Sequence, residues 1–272
     1  MPRSQWLSPV WLVVALATAT ATLKGQDRDD ARWRDRCERS HGSDEATYCE
    51  VRVQRLSAGG GQLSVDNENG STEVMGSKGD SIVLHELIEA QAPSTDEARE
   101  LASQVRVSTA GNQISSDGPS SSHRRSWSVS YRIVVPERYD LTLTGHNGPV
   151  AVDGVTGRIR LDAVNGPISL DRLGGDVHAR AQNGPLDVTL GGAKWDGVGL
   201  DAEAQNGPVE LTIPAQYSAH LETSTDNGPM EVDFPITVQG RVDSRRLAID
   251  LGSGGPTIRV VTTNGPLVVK KD

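Results

Sequence analysis

A chain of 272 residues with 36% apolar residues is long enough to bury one sizeable core, and its net charge of −9 argues against nucleic acid and anionic lipid as partners. Aromatic residues make up 4%, with a single Phe, which excludes a wide core built on rings. Two cysteines in the whole chain exclude a disulfide-dense scaffold and leave room for one bridge.

The chain opens like a secretory signal over residues 1–21. Arg3 supplies the positive start, Val10 to Leu16 the apolar run, and Ala19-Thr20-Ala21 the small residues of a cleavage site. The run is too short and too rich in Thr for a membrane span, and the mature chain is expected to have none. Removal of the signal takes away one Arg and no acid, so the charge moves from −9 to −10. Residues 22–50 read as a charged, flexible lead-in followed by a cap. Cys37 and Cys49 are expected to close that cap as a disulfide, since an exported chain meets an oxidising compartment. The short loop between them contributes about 3 kcal/mol in a chain-entropy account.

Residues 51–272 read as one all-β domain. Leu63, Val65, Thr72 and Val74 flank Asn69-Gly70 with strand alternation, and Ile82 to Ala90 is a further apolar strand. That strand holds His85-Glu86 with Glu89 where a zinc-protease helix needs a second His, so no metal site is expected there. Ser94 with Glu97 forms a capping box, and Ala98, Leu101, Ala102 and Val105 give an apolar stripe at helical spacing. This predicts one short α-helix covering an end or face of the sheet. Val105 to Thr109 and Ile114 follow as strands. A Ser-rich loop with His123, Arg124 and Arg125 precedes a strand from Trp127 to Val135.

A repeat dominates the rest. Asn-Gly-Pro recurs at Asn147, Asn165, Asn183, Asn206, Asn227 and Asn264, the first steps being 18 residues and later ones longer. Three and five positions after each Asn stand aliphatic residues such as Ile168 and Leu170. Six and four positions before it stand others such as Ile159 and Leu161, while the residue two before is small. Each unit is therefore strand, Asn-Gly corner, strand. A hairpin meander is one way to use such a corner. A parallel β-solenoid with coils of about 18–23 residues is preferred. Pro lacks the N–H that an immediate antiparallel ladder needs, and like residues recur at every equivalent position. Gly suits the corner backbone, and Asn on Asn can ladder from coil to coil. Burying each inward Val or Leu contributes roughly 1.5–3 kcal/mol. Two coils carry excursions, residues 191–199 and 235–255.

The order of several short motifs resembles the bacterial putative-adhesin family. They are Cys37…Cys49-Glu50-Val51, a helix around Asp96-Glu97-Ala98, Trp127-Ser128-Val129-Ser130-Tyr131, Val135-Pro136, the Asn-Gly coils, Leu211-Thr212-Ile213-Pro214-Ala215, and Gly254-Gly255…Thr263-Asn264-Gly265. That family is a domain of unknown function, similar in shape to a β-solenoid. The resemblance implies a periplasmic or cell-surface protein with an adhesive role, an unidentified protein or glycan partner at the envelope, and no catalytic residues. The chain departs from the family in placing Pro after Gly so regularly.

Outward positions are the ones free to carry function. Asp162, Arg180 and Glu203 alternate in sign from coil to coil and read as structural cross-strand pairs. Asp187, Glu210 and Glu231 form a column of like charge, which calls either for a cation such as Ca²⁺, the one cofactor considered, or for solvation as an acidic stripe. Asp153 and Asp171 stack one coil apart, near the carboxylate spacing of a retaining glycosidase, although nothing apolar surrounds them. Trp195, in the 191–199 loop, is the nearby aromatic available to stack on a sugar, and binding is expected through the flat outward sheets at this loop and the acidic column. The six histidines are scattered, and neither a nucleophile elbow nor a phosphate loop occurs. The reading is a non-enzymatic exported binding module, with an envelope scaffold or a polysaccharide-binding or -cleaving protein as alternatives.

Overall fold

The computed structural model describes residues 16–39, 45–122, 124–233 and 244–272, and in the first of these the side chains from residue 28 onward. Residues 1–15 of the expected signal and residues 235–243 of the 235–255 excursion lie outside the described residues. The chain begins with helix α1 (Leu16–Arg39) and strands β1 (Ala46–Ser57), β2 (Gln62–Asn69), β3 (Thr72–Ser77) and β4 (Ser81–Ala92). Helix α2 (Thr95–Gln104) leads to β5 (Arg106–Ser108), β6 (Gln113–Asp117) and β7 (Ser126–Pro136). The coils follow as β8 (Asp140–Asn147) and β9 (Val150–Asp153), β10 (Thr156–Asn165) and β11 (Ile168–Asp171), and β12 (Gly174–Asn183) and β13 (Leu186–Thr189). Then come β14 (Gly197–Asn206) and β15 (Val209–Ile213), β16 (Ala219–Asn227) and β17 (Met230–Val232), β18 (Arg246–Leu251), and β19 (Thr257–Asn264) and β20 (Leu267–Lys271).

These strands form two ten-stranded sheets. The first runs β1-β4-β7-β3-β9-β11-β13-β15-β20-β17, and the second β18-β16-β19-β14-β12-β10-β8-β2-β6-β5. The short strand after each Asn-Gly corner belongs to the first sheet and the longer strand before it to the second, so each coil contributes one strand to each wall. Like residues sit over like: Ile159 pairs with Val177, Val177 with Leu200, and Leu200 with Ile258. All four are buried, as are Leu143, Leu161, Ala179, Ala202 and Val260 in the next inward row. The parallel β-solenoid is thus the observed architecture.

The corners explain why the repeat is so strict. The Gly166 amide donates to Asn183 O at 3.0 Å, and the Ile168 amide to Pro185 O at 2.9 Å, so the parallel ladder passes through the corner. Pro loses no bond there, because only its carbonyl is used. Gly166 has φ +152° and lies so close to the coil before it that a Cβ would stand 2.2 Å from Gly148 O. The Asn side chains form a continuous ladder. Asn147 donates to Asn69, Asn165 to Asn147, Asn183 to Asn165, Asn206 to Asn183, Asn264 to Asn206 and Asn227 to Asn264, at 2.8–3.1 Å.

The ladder also shows that stacking order departs from chain order. The last coil, β19–β20, is inserted between the coil of β14–β15 and that of β16–β17. Strand β18 then runs back antiparallel along β16 and forms the edge of the second sheet. At this end the small inward residues give way to Thr223, Thr225 and Thr262. Their hydroxyls donate to Val260 O, Gly265 O and Gly207 O at 2.8–3.0 Å, so the buried polar atoms are satisfied.

Two helices, not one, cover the amino-terminal end. Helix α2 begins as expected, with the Ser94 hydroxyl accepting from the Glu97 amide, and brings Leu101 and Ala102 into the core. The lead-in expected to be flexible is helical as α1. Its Trp33 and Cys37 pack with Val51 and Leu87 on the outer side of β1 and β4. The Cys37–Cys49 disulfide is formed, the Arg132 guanidinium lies 4.2 Å from the Trp33 ring, and Asp30 meets His85 Nδ1 at 2.8 Å. Charge composition suggested solvation of this segment, but tertiary partners override a weak local preference. No helix among the described residues is long and apolar enough to cross a membrane.

Leu161→Ala should cost about 3–5 kcal/mol, read by denaturant melts, because a narrow interior cannot collapse around the lost volume. Gly166→Ala, at an exposed corner, should also destabilise through the clash with Gly148, which sequence-based burial alone would not anticipate.

Candidate binding face

The site residues expected from the sequence separate in space. Trp195 is 4% exposed, and its indole N–H donates to Gly175 O at 3.0 Å. From the otherwise exposed 191–199 insertion, Trp195 alone turns inward, at the edge opposite the Asn corners, where its ring seals the aliphatic interior against Leu170, Leu173, Leu190 and Leu200. The indole cannot stack on a sugar, and this expectation is corrected. The acidic column is also not continuous. Asp187 adjoins Glu210, but Glu210 adjoins Val268, and only then comes Glu231, because β20 enters between β15 and β17. Glu210 accepts an ion pair from Lys270 Nζ at 2.7 Å. Burial, with Glu210 adding, pushes the Asp187 carboxyl up from its ordinary range, against the pull of Lys270.

Asp153 and Asp171 do stack as neighbours. Arg172 inserts its guanidinium between them, at 2.5 Å from Asp153 and 2.8 Å from Asp171. The gap a scissile bond would need is filled by a cation, so the pair is a structural staple. His85 and Glu86, adjacent on β4, point to opposite walls: His85 out to α1, Glu86 inward, where burial raises its carboxyl despite Gln54 and Arg52.

The outward side of the second sheet instead gathers a charged, concave face near the Asn corners. It forms a shallow trough of about 670 Å³. Asp162, Arg180, Glu203, Val261 and Ser224 cross it in strict register on β10, β12, β14, β19 and β16. Glu203 is clasped by Arg259 Nη1 at 2.5 Å and by Arg180 Nε at 3.7 Å, and Arg259 also pairs with Asp201. One row further from the corner, Arg160 meets Asp176 at 3.0 Å and holds that carboxyl below its usual range, with His178 assisting. Gln182, Gln205, Asp226 and Arg246 complete the rim. The column of alternating charge was legible; Arg259, Ser224 and Arg246 were not placed with it. Their positions depend on the insertion of β19 and the return of β18, which no local pattern announces.

Beside the trough, His220 on β16 meets Asp250 on β18, Nδ1 to Oδ1 at 2.7 Å, and Glu222 at 3.4 Å. The Asp250 hydrogen bond raises the imidazole above its ordinary value of 6.5, with burial opposing. A raised folded value stabilises when the ring is protonated. That stability is fully present below the unfolded value and is lost as pH rises through the folded one. Melting temperatures of the chain and of His220→Gln should therefore differ at pH 5.5 and converge by pH 8.5.

Among known proteins, a family profile and several solved structures are similar to this chain. The profile of the Toastrack DUF4097 family matches residues 45–270. A solved structure described as a putative cell adhesion protein, from Clostridium sporogenes ATCC 15579, is similar at 10% identity with a TM-score of 0.44, covering 82% of this chain and 100% of that one. Another, described as a putative lipid binding protein from Parabacteroides distasonis ATCC 8503, aligns at 10% identity with a TM-score of 0.28, over 81% of this chain and 96% of the other. A putative adhesin from Parabacteroides merdae ATCC 43184 aligns at 9% identity with a TM-score of 0.23, over 81% and 96%. A search of curated proteins returns no match. With the family profile spanning the disulfide-capped end through the last coil, the chain belongs to the Toastrack DUF4097 family.

Proposed function

We propose that this chain is an exported, non-enzymatic binding module of the cell envelope or exterior, adhesin-like in role, and that the outward trough of the second sheet is its contact surface. The observation that carries the reading is the register of the trough. Five strands hold Asp162, Arg180, Glu203, Val261 and Ser224 in one row on a rigid ladder, with amides and carboxylates at the rim. Preorganised polar groups lose little freedom on binding, which favours recognition of a hydroxyl-rich or mixed-charge partner such as a glycan or a protein surface. The disulfide fits an oxidising compartment, and residues 1–21 fit export. The Arg172 guanidinium between Asp153 and Asp171, the carboxylate pair that suggested sugar cleavage, supports the non-enzymatic reading.

The purified mature chain should bind a subset of a glycan array or of extracellular matrix proteins. The double variant Arg180→Ala with Gln205→Ala should lose that binding by about tenfold or more, with an unchanged melting temperature. Absence of binding on every surface, or binding indifferent to the double variant, defeats the assignment of this face.

A further inference from the structure

At the amino-terminal side of the same outward face, three metal-ligating side chains converge without an arginine among them. Asp66 and Glu68 are two apart on β2 and so point the same way. The register Asn67↔Gly145 and Asn69↔Asn147 places His146, on β8, opposite Glu68. One donor atom from each of Asp66, Glu68 and His146 lies within 4.8 Å of the other two. His146 Nε2 is 3.9 Å from Asp66 Oδ1, and its Nδ1 is 3.7 Å from Glu68 Oε2. Both separations are too long for hydrogen bonds. They involve different ring nitrogens, of which a cation takes one, so they are alternative approaches, each within the span that two ligands bridge when both are about 2.0–2.2 Å from a shared cation.

We propose that Asp66, Glu68 and His146 form a binding site for a divalent transition-metal cation, of which Zn²⁺ is the reference case. Two independent features separate this cluster from the rest of the face. The first is the missing counter-charge. Several other carboxylates on this sheet are met by arginines: Asp140 by Arg158, Asp176 by Arg160, Glu203 by Arg259. Asp66 and Glu68 have His146 as the basic group beside them. The second is the rigidity of the frame. Asn147, next to His146, donates its side-chain amide to the backbone oxygen of Glu68 at 3.1 Å. Between the two acids, Asn67 turns inward and donates to Thr72 Oγ1, Ser71 O and Val129 O at 3.1–3.3 Å. The main chains that carry the three donors are thereby tied together before any cation arrives. An imidazole with two carboxylates suits Zn²⁺ and its neighbours better than Ca²⁺, which takes oxygen ligands. Three protein ligands leave a coordination position open to water or to a donor from a partner.

His178 and His220 also face two carboxylates each, yet neither repeats the arrangement. Around His178, Asp176 is bound by Arg160 and Asp201 by Arg259, and His220 is already hydrogen-bonded to Asp250 at 2.7 Å.

The experiment is calorimetric titration of the chelator-treated chain with ZnCl₂. A single equivalent should bind. Asp66→Asn, Glu68→Gln and His146→Gln should each weaken uptake by at least about 100-fold, and His178→Gln should leave it unchanged. The three sites are on the surface, so the variants should melt like the parent chain in chelator. Should one of them fail to fold, the ring-nitrogen resonances of His146 in the parent chain give a direct reading, since they must shift on addition of Zn²⁺. No uptake by the parent chain, uptake that survives the three substitutions, or Zn²⁺ that leaves the His146 ring unperturbed would each overturn the proposal.

Discussion

The whole molecule depends on how closely one corner can lie upon the next. Each Asn-Gly corner rests on its neighbour with no space for a side chain at the glycine, and the Asn amides bond from coil to coil along the same line. That contact sets the spacing of the coils, and the spacing sets everything carried by the strands on either side. Aliphatic residues meet aliphatic residues inward. Outward, whatever residue occupies a given offset is delivered beside its counterpart one coil away. A solenoid of this kind behaves as a one-dimensional lattice, where local order propagates because each unit is completed by the next.

The same lattice explains why the outward faces carry so many ion pairs. Parallel strands in register bring equivalent positions within pairing distance, so a change of sign between coils yields attraction at little entropic cost. The second sheet uses this with Arg158, Arg160, Arg180 and Arg259, and the resulting surface has fixed polar groups. Individual surface pairs stabilise the fold only weakly. Their effect is on the shape of the surface, since a clasped Glu203 or Asp201 cannot swing away. The face suited to recognition is therefore built from the contacts that hold the coils in register.

The ends of the stack are handled by separate devices. At the amino-terminal end, α2 inserts Leu101 and Ala102 against the inner side of the sheet, while α1 covers the outer side through Trp33 and the disulfide. At the other end the chain doubles back: β18 lies antiparallel on β16. Each end also interrupts the parallel ladder with antiparallel pairs, β1 on β4 and β4 on β7 at one, β18 on β16 at the other.

Much of this was written into the residues in order. Period-two alternation around Asn-Gly-Pro defined the strands, the inward columns and the Asn ladder, because these follow from offsets within a single coil. The disulfide and the Ser94 cap were equally local. Offsets would also have placed Glu68 beside His146, since each stands one position before a corner Asn. Three features were beyond such reasoning. Trp195 lies in an insertion whose direction is chosen by the cavity it fills. The order of the last two coils depends on which exposed ladder β19 meets, so the column of Asp187, Glu210 and Glu231 is broken by Val268. The amino-terminal helix is held by side chains far along the chain, Arg132 of β7 on the Trp33 ring and His85 of β4 on Asp30. A repeat dictates what each coil looks like, but the neighbours of a coil are settled by packing energies shared among segments far apart in the chain.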